Sequence, residues 1–170
     1  GTPMFDEMKA VDYVALQKSG DISDPRARGA YLKSGFVEGI SPALVDTLLE
    51  GFEPNPERGM AVVWQHAGGA IGRVAPDAMA FAHRGISHDT LIIMDCAMGI
   101  DATPHIEWLR SYFATLAAYT RGCYSNDLSD ESQAAVNKNY AGNYERLVQI
   151  KNQYDPTTLF RLNANVVPTV

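Results

Sequence analysis

Two cysteines in 170 residues, Cys96 and Cys123, are too few for a disulfide framework, and no Cys-x-x-Cys or Cys/His ligand spacing accompanies them. Two thiols fit a reducing compartment. Positive charge is also scarce. Against 20 Asp plus Glu stand 14 Lys plus Arg, a formal charge of -6 that repels phosphate backbones and leaves no basic stripe. Neither nucleic acid nor an anionic membrane is expected as a partner. The four histidines, His66, His83, His88 and His105, include no pair at the i, i+4 spacing of a zinc-binding helix, so no metal site is expected. Gly-x-Ser-x-Gly, a phosphate-binding loop and Gly-x-Gly-x-x-Gly are all missing; Gly68-Gly69 with Gly72 lies in a hairpin-like stretch without the strand-to-helix context. Hydrolase and kinase readings therefore have no support. Apolar runs such as 91–94 fall far short of the roughly 20 residues of a membrane helix. No signal-peptide pattern is read at the start, and a soluble, cytoplasmic chain is expected. Opening on Gly1-Thr2-Pro3 in place of methionine suits a cleaved tag or an internal starting point in a longer protein.

What remains is an ordinary globular composition, 46% hydrophobic and 20% charged, sufficient for one core. Residues 31–37 form a β-prone run. Ser41 can cap a helix with Pro42 at its first position and Leu44, Val45, Leu48 and Leu49 along one face. The spacing predicts a strand over 60–66, a turn at Gly68-Gly69, a returning strand over 70–74, and further strands over 78–83 and 90–96. After Gly99 the pattern turns helical. Thr103-Pro104 starts a helix whose Ile106, Leu109, Phe113 and Leu116 share a face; Ser129 or Asp130 can cap a short one near 133–139; Asn143 can cap another that ends at Asp155-Pro156. Strands grouped before helices predict an α+β fold, an antiparallel sheet covered on one face by helices. One domain over 1–170 is expected, its sheet region over about 10–100 and its helical region over 101–170. The second sheet face would stay free for a cofactor domain or a partner chain.

The last third holds Tyr124-Ser125-Asn126, Tyr140-Ala141-Gly142-Asn143-Tyr144-Glu145-Arg146-Leu147, Lys151, Tyr154-Asp155-Pro156 and Phe160-Arg161-Leu162-Asn163-Ala164-Asn165. Earlier stand Gly68-Gly69-Ala70, Arg73 and Ala80-Phe81 with His83-Arg84. In this order the segments resemble the berberine-bridge-enzyme-like FAD-linked oxidases, over roughly residues 10–168. Asp127, Ala164 and Met79 depart from the residues usual at those places in the family.

The resemblance implies the substrate-binding and C-terminal portion of an FAD-dependent oxidoreductase that oxidises an alcohol, amine or sugar. It also implies a sheet that roofs the flavin ring, with an N-terminal FAD-binding domain as partner and FAD as cofactor. Tyr124 then maps to a catalytic base, and Tyr124, Asn126 and Asn163 to flavin contacts. A free phenol titrates near ~10 and is a weak base at neutral pH, so nearby donors or cations such as Arg84 and Arg73 would have to support its anion. On a strand, Tyr124 and Asn126 would face one side, with Ser125 opposite; backbone-satisfied core packing and turn chemistry are the alternative readings of the two. Trp64 and His66 share a strand face and, with Arg84, are candidate substrate contacts, Gln65 pointing the other way. A helix cap accounts for Asn143. The chain alone is expected to be inactive and to hold FAD weakly. The competing reading is a non-catalytic module of the same fold that binds a small ligand or forms a homodimer through the uncovered sheet face.

Overall fold

The computed structural model describes residues 9–21, 26–127, 132–162 and 164–170. Its centre is a three-stranded antiparallel sheet of order β1-β3-β2, with β1 Arg28–Val37, β2 Arg58–His66 and β3 His88–Ala97. The last strand in sequence lies in the middle. Five helices accompany it: α1 Tyr13–Lys18, α2 Pro42–Gly51, α3 Thr103–Ala114, α4 Gln133–Asn139 and α5 Tyr144–Tyr154. The predicted α+β class holds, and each expected helix forms. Among the described residues no helix is long and apolar enough to cross a membrane.

Strand periodicity sorts the sheet's side chains onto two faces. Val37, Ile92, Met94 and Cys96 turn to one face, where Leu44 and Leu48 of α2, Leu109 and Tyr112 of α3, and Leu116 complete the core. The Tyr112 hydroxyl donates to the Leu48 carbonyl at 2.6 Å, locking α3 to α2. Gly51 is what allows this contact, because a Cβ there would sit 2.2 Å from the Tyr112 ring. Ser41 caps α2 as expected, its hydroxyl accepting from Leu44 N at 3.2 Å. The opposite face carries Ser34 and Phe36 of β1, Asp89 and Leu91 of β3, and Val63 and Gln65 of β2.

The stretch 67–87 between β2 and β3 departs from expectation. The predicted strand over 70–74 is instead a 3-10 turn, Ile71–Arg73, and 78–83 is irregular. Its carbonyls are taken by distant side chains rather than by a neighbouring strand. Asn143 Nδ2 donates to the carbonyls of Pro76 at 2.7 Å and Met79 at 2.9 Å, and Arg84 donates to those of Ile71 and Phe81. Asn143 therefore stands at the start of α5 without capping it through its side chain. Its buried amide fastens the 76–80 segment to the helical layer instead.

Helix α1 was not legible. Its Asp12 cap is good, but Tyr13, Val14 and Leu16 are all exposed, so no buried stripe marks it. Ser132 caps α4; the expected caps Ser129 and Asp130 lie outside the described residues. Beyond α5 the chain turns back. Asp155 accepts from Leu159 N at 2.6 Å and from Phe160 N at 3.1 Å, and Asn152 pairs with Thr169 through 2.9 and 3.0 Å hydrogen bonds.

Candidate functional site

Where the 67–87 stretch and the 120–127 segment meet the second sheet face, they enclose a cavity of about 420 Å³. Phe36, Met79, Phe81 and Ile86 give it apolar walls, and Gln65, His66, Arg84, Asp89 and Tyr124 bring polar groups to it. Each is placed by a traceable local cause.

Asp89 comes from the central strand, with Phe36 beside it on β1 and Gln65 on β2. It is buried to 7% exposure, and its Oδ1 has no hydrogen-bond partner among the described residues. Burial, with the negative charge of Asp127 added, raises its pKa to about 6, against a smaller opposing effect from the Thr90 backbone N–H. The carboxyl thus changes charge within the range where many proton transfers run.

Tyr124 is carried by a segment clipped to the edge of β1. Arg121 N donates to Phe36 O at 2.9 Å, and Phe36 N to Gly122 O at 3.3 Å. Asn139 of α4 accepts from Cys123 N at 2.8 Å, while its own carbonyl meets His83 Nε2 at 2.8 Å. Ser125–Asp127 then form a 3-10 turn rather than the strand expected. Alternation therefore does not align Tyr124 with Asn126. The turn brings them together another way: Asn126 Nδ2 donates to the Tyr124 phenol oxygen at 2.8 Å. Both residues are exposed, Tyr124 to 46%.

The remaining expected site residues divide. Arg84 lines the cavity with its guanidinium 4.8 Å from the centre of the Phe81 ring. His66, at the end of β2, also lines it and meets the His88 ring at 5.2 Å. Trp64 does not. It packs against the core on the helix-covered face, and the cavity opens on the face of Gln65. The assumption that the Trp64 face was the open one was mistaken, because α2 and α3 cover that side. Arg73 is exposed in its 3-10 turn and is not a lining residue. Asn163 lies outside the described residues.

Sequence reasoning missed Asp89 and Gln65. The available signal was an acid set against the apolar run 90–96, with a polar residue at a matching parity on β2. Among the described residues no three or more His, Cys, Asp or Glu side chains converge on a metal position.

This arrangement defines an α+β unit with one face committed to its core and a cavity bearing a phenol and a buried acid on the other. Residues 123–167 match the family described as berberine and berberine like. The chain is 25% identical over 170 residues to an FAD-linked oxidoreductase of Dictyostelium discoideum, covering 99% of this chain and 37% of that protein. It is 31% identical over 135 residues to the uncharacterized FAD-linked oxidoreductase YgaK of Bacillus subtilis, covering 78% of this chain and 30% of that one. Among solved structures, an Acremonium strictum glucooligosaccharide oxidase superposes with a TM-score of 0.69 at 25% identity, over 82% of this chain and 33% of its own. The chain is a member of the berberine-bridge-enzyme-like family of FAD-linked oxidoreductases, and it spans about a third of the length of the curated relatives it matches.

Proposed function

We propose that this chain is the substrate-binding and C-terminal portion of an FAD-dependent oxidoreductase, and that the cavity at Asp89 and Tyr124 holds the group being oxidised. The observation that carries the reading is the pairing of an exposed, amide-bonded phenol with a buried carboxyl whose Oδ1 has no partner among the described residues, in one cavity. The residues at the cavity would suit contact with a flavin ring. Tyr124 and Asn126 stand exposed beside it, offering an aromatic face and an amide with both donor and acceptor capacity. When bound, FAD supplies the two-electron acceptor for the hydride.

The chain's own residues supply the proton chemistry. Tyr124 relays the proton: as its oxygen takes that of a substrate hydroxyl or amine, its own phenolic proton passes on to ionised Asp89, and the C–O or C–N bond gains double-bond character as the carbon gives up its hydride. Asn126, donating to the phenol oxygen, orients it for that transfer. Asp89, ionised at neutral pH by virtue of a pKa of about 6, is the second acceptor to which the proton passes. The walls of Phe36, Met79 and Phe81 give the reacting carbon an apolar setting.

The chain spans about a third of the relatives' length, and on this reading it takes up FAD weakly by itself and does not turn over. Titrating FAD into the purified chain tests this through flavin absorbance and fluorescence; tight one-to-one uptake overturns it. In the whole oxidoreductase, Tyr124→Phe should slow flavin reduction by substrate by about 10² to 10⁴. An unchanged rate in stopped-flow absorbance would remove Tyr124 from the mechanism.

A further inference from the structure

Arg84 is the one cavity cation whose interactions are all with neutral groups. Its Nε donates to Phe81 O at 3.1 Å, its Nη1 to Ile71 O at 3.2 Å, and the Phe81 ring lies beneath it. Nη2 has no partner among the described residues. A guanidinium carries five N–H donors, so the two backbone bonds orient the group and leave its outer fork unused. Among the described residues no ion pair joins it to a carboxylate, although Asp89 lines the same cavity.

The walls between are apolar and aromatic. Phe36, Ile71, Met79, Phe81 and Ile86 suit an apolar body, and Gln65, His66, Arg84, Asp89 and Tyr124 are the polar groups at hand for its substituents. A preorganised guanidinium in such surroundings is a site for an anion on an apolar body.

We propose that the substrate is an aromatic or otherwise apolar alcohol bearing a carboxylate, whose anionic group pairs with Arg84 while its hydroxyl meets Tyr124 and Asp89. This rests on the oxidoreductase reading above and narrows it. The alcohol would lose its hydroxyl proton through Tyr124 to Asp89 and a hydride from carbon, for which bound FAD would be the two-electron acceptor, leaving an aldehyde or ketone with the carboxylate unchanged.

The test uses the whole flavoenzyme with three probes: 4-(hydroxymethyl)benzoate, benzyl alcohol and glucose, each followed by anaerobic flavin reduction. 4-(Hydroxymethyl)benzoate should have the highest kcat/KM. Arg84→Leu should raise its KM by about 10- to 100-fold, the loss expected for a charge-assisted pair, and change the KM of benzyl alcohol by a clearly smaller factor. Arg84→Lys should recover part of the difference. Preference for glucose, or an equal effect of Arg84→Leu on both aromatic probes, overturns the proposal while leaving the oxidoreductase reading intact. So does a lowered flavin content in Arg84→Leu, which would assign the cation to the cofactor. Failure of all three probes and of a wider alcohol panel to reduce the flavin would overturn both.

Discussion

The side-chain amide of Asn126 donates to the phenol oxygen of Tyr124 at 2.8 Å, two residues away around a single 3-10 turn. That bond holds the phenol in one orientation, and the proposed proton transfer depends on it. Asn126→Leu should therefore slow flavin reduction in the whole enzyme by roughly 10-fold. Both residues are exposed, so the melting temperature should hardly move. Stopped-flow reduction alongside a thermal melt checks the pair of outcomes.

Asp89 gives a pH signature with a definite sign. Folding raises its pKa from 3.8 to about 6, chiefly by burial, so the folded chain binds this proton more tightly than the unfolded one. The contribution favours the folded state below pH 3.8 and is lost as the pH rises through about 6. Above that pH the ionised carboxyl is a burden on the fold. Asp89→Asn should stabilise the protein at pH 8 by about 1–3 kcal/mol, and give no gain at pH 3.5. Denaturant melts at the two pH values measure this. In the whole enzyme the same substitution should flatten the rise of flavin reduction through pH 6 and lower the rate above it.

Asn143 holds the site from a distance. Its buried amide donates to the carbonyls of Pro76 and Met79, and those residues lead into the cavity wall at Met79 and Phe81. Asn143→Ala leaves buried carbonyls without donors, at a cost of about 2–3 kcal/mol. Chemical denaturation should show the loss. Hydrogen exchange should show faster opening within 76–84, while the β1 and β3 amides keep their protection.

The same residue shows where sequence reasoning reaches its limit. Ser41-Pro42 and the Leu44-Leu48 spacing mark α2 because capping and burial are local patterns, and the three sheet strands were likewise legible from their apolar runs. The 67–87 stretch carries similar alternation, yet its carbonyls are claimed by Asn143 and Arg146, more than 60 residues away in sequence. No local pattern announces such a partner. For the same reason Tyr124 and Asn126 were legible as a pair but not in their conformation, which depends on Arg121 bridging to Phe36. Nothing local singles out Asp89 ahead of the apolar run of β3, and only the assembled sheet shows it buried between Phe36 and Gln65. The choice of face also hung on tertiary packing, so Trp64 was placed at the cavity when it belongs to the core.

Gly122 links the fold to the site most directly. It has φ +55, a left-handed conformation that costs an L residue roughly 1–2 kcal/mol, and a Cβ there would lie 2.4 Å from the His83 ring and 2.9 Å from Asn139 Oδ1. Those two neighbours cannot both give way cheaply. The His83 ring is held by the Asn139 carbonyl and packs 5.1 Å from Phe36, and Asn139 Oδ1 also fixes Cys123 N, the amide just before Tyr124. Gly122→Ala should destabilise the fold by about 2–4 kcal/mol and displace Tyr124 with it. The melting temperature and the rate of flavin reduction in the whole enzyme should fall together. Gly142→Ala, where nothing lies within 4 Å of the added methyl and φ is not left-handed, is the matched control and should change neither. A Gly122→Ala protein that lost stability but kept its full reduction rate would show that the clip on β1 does not set the position of the phenol.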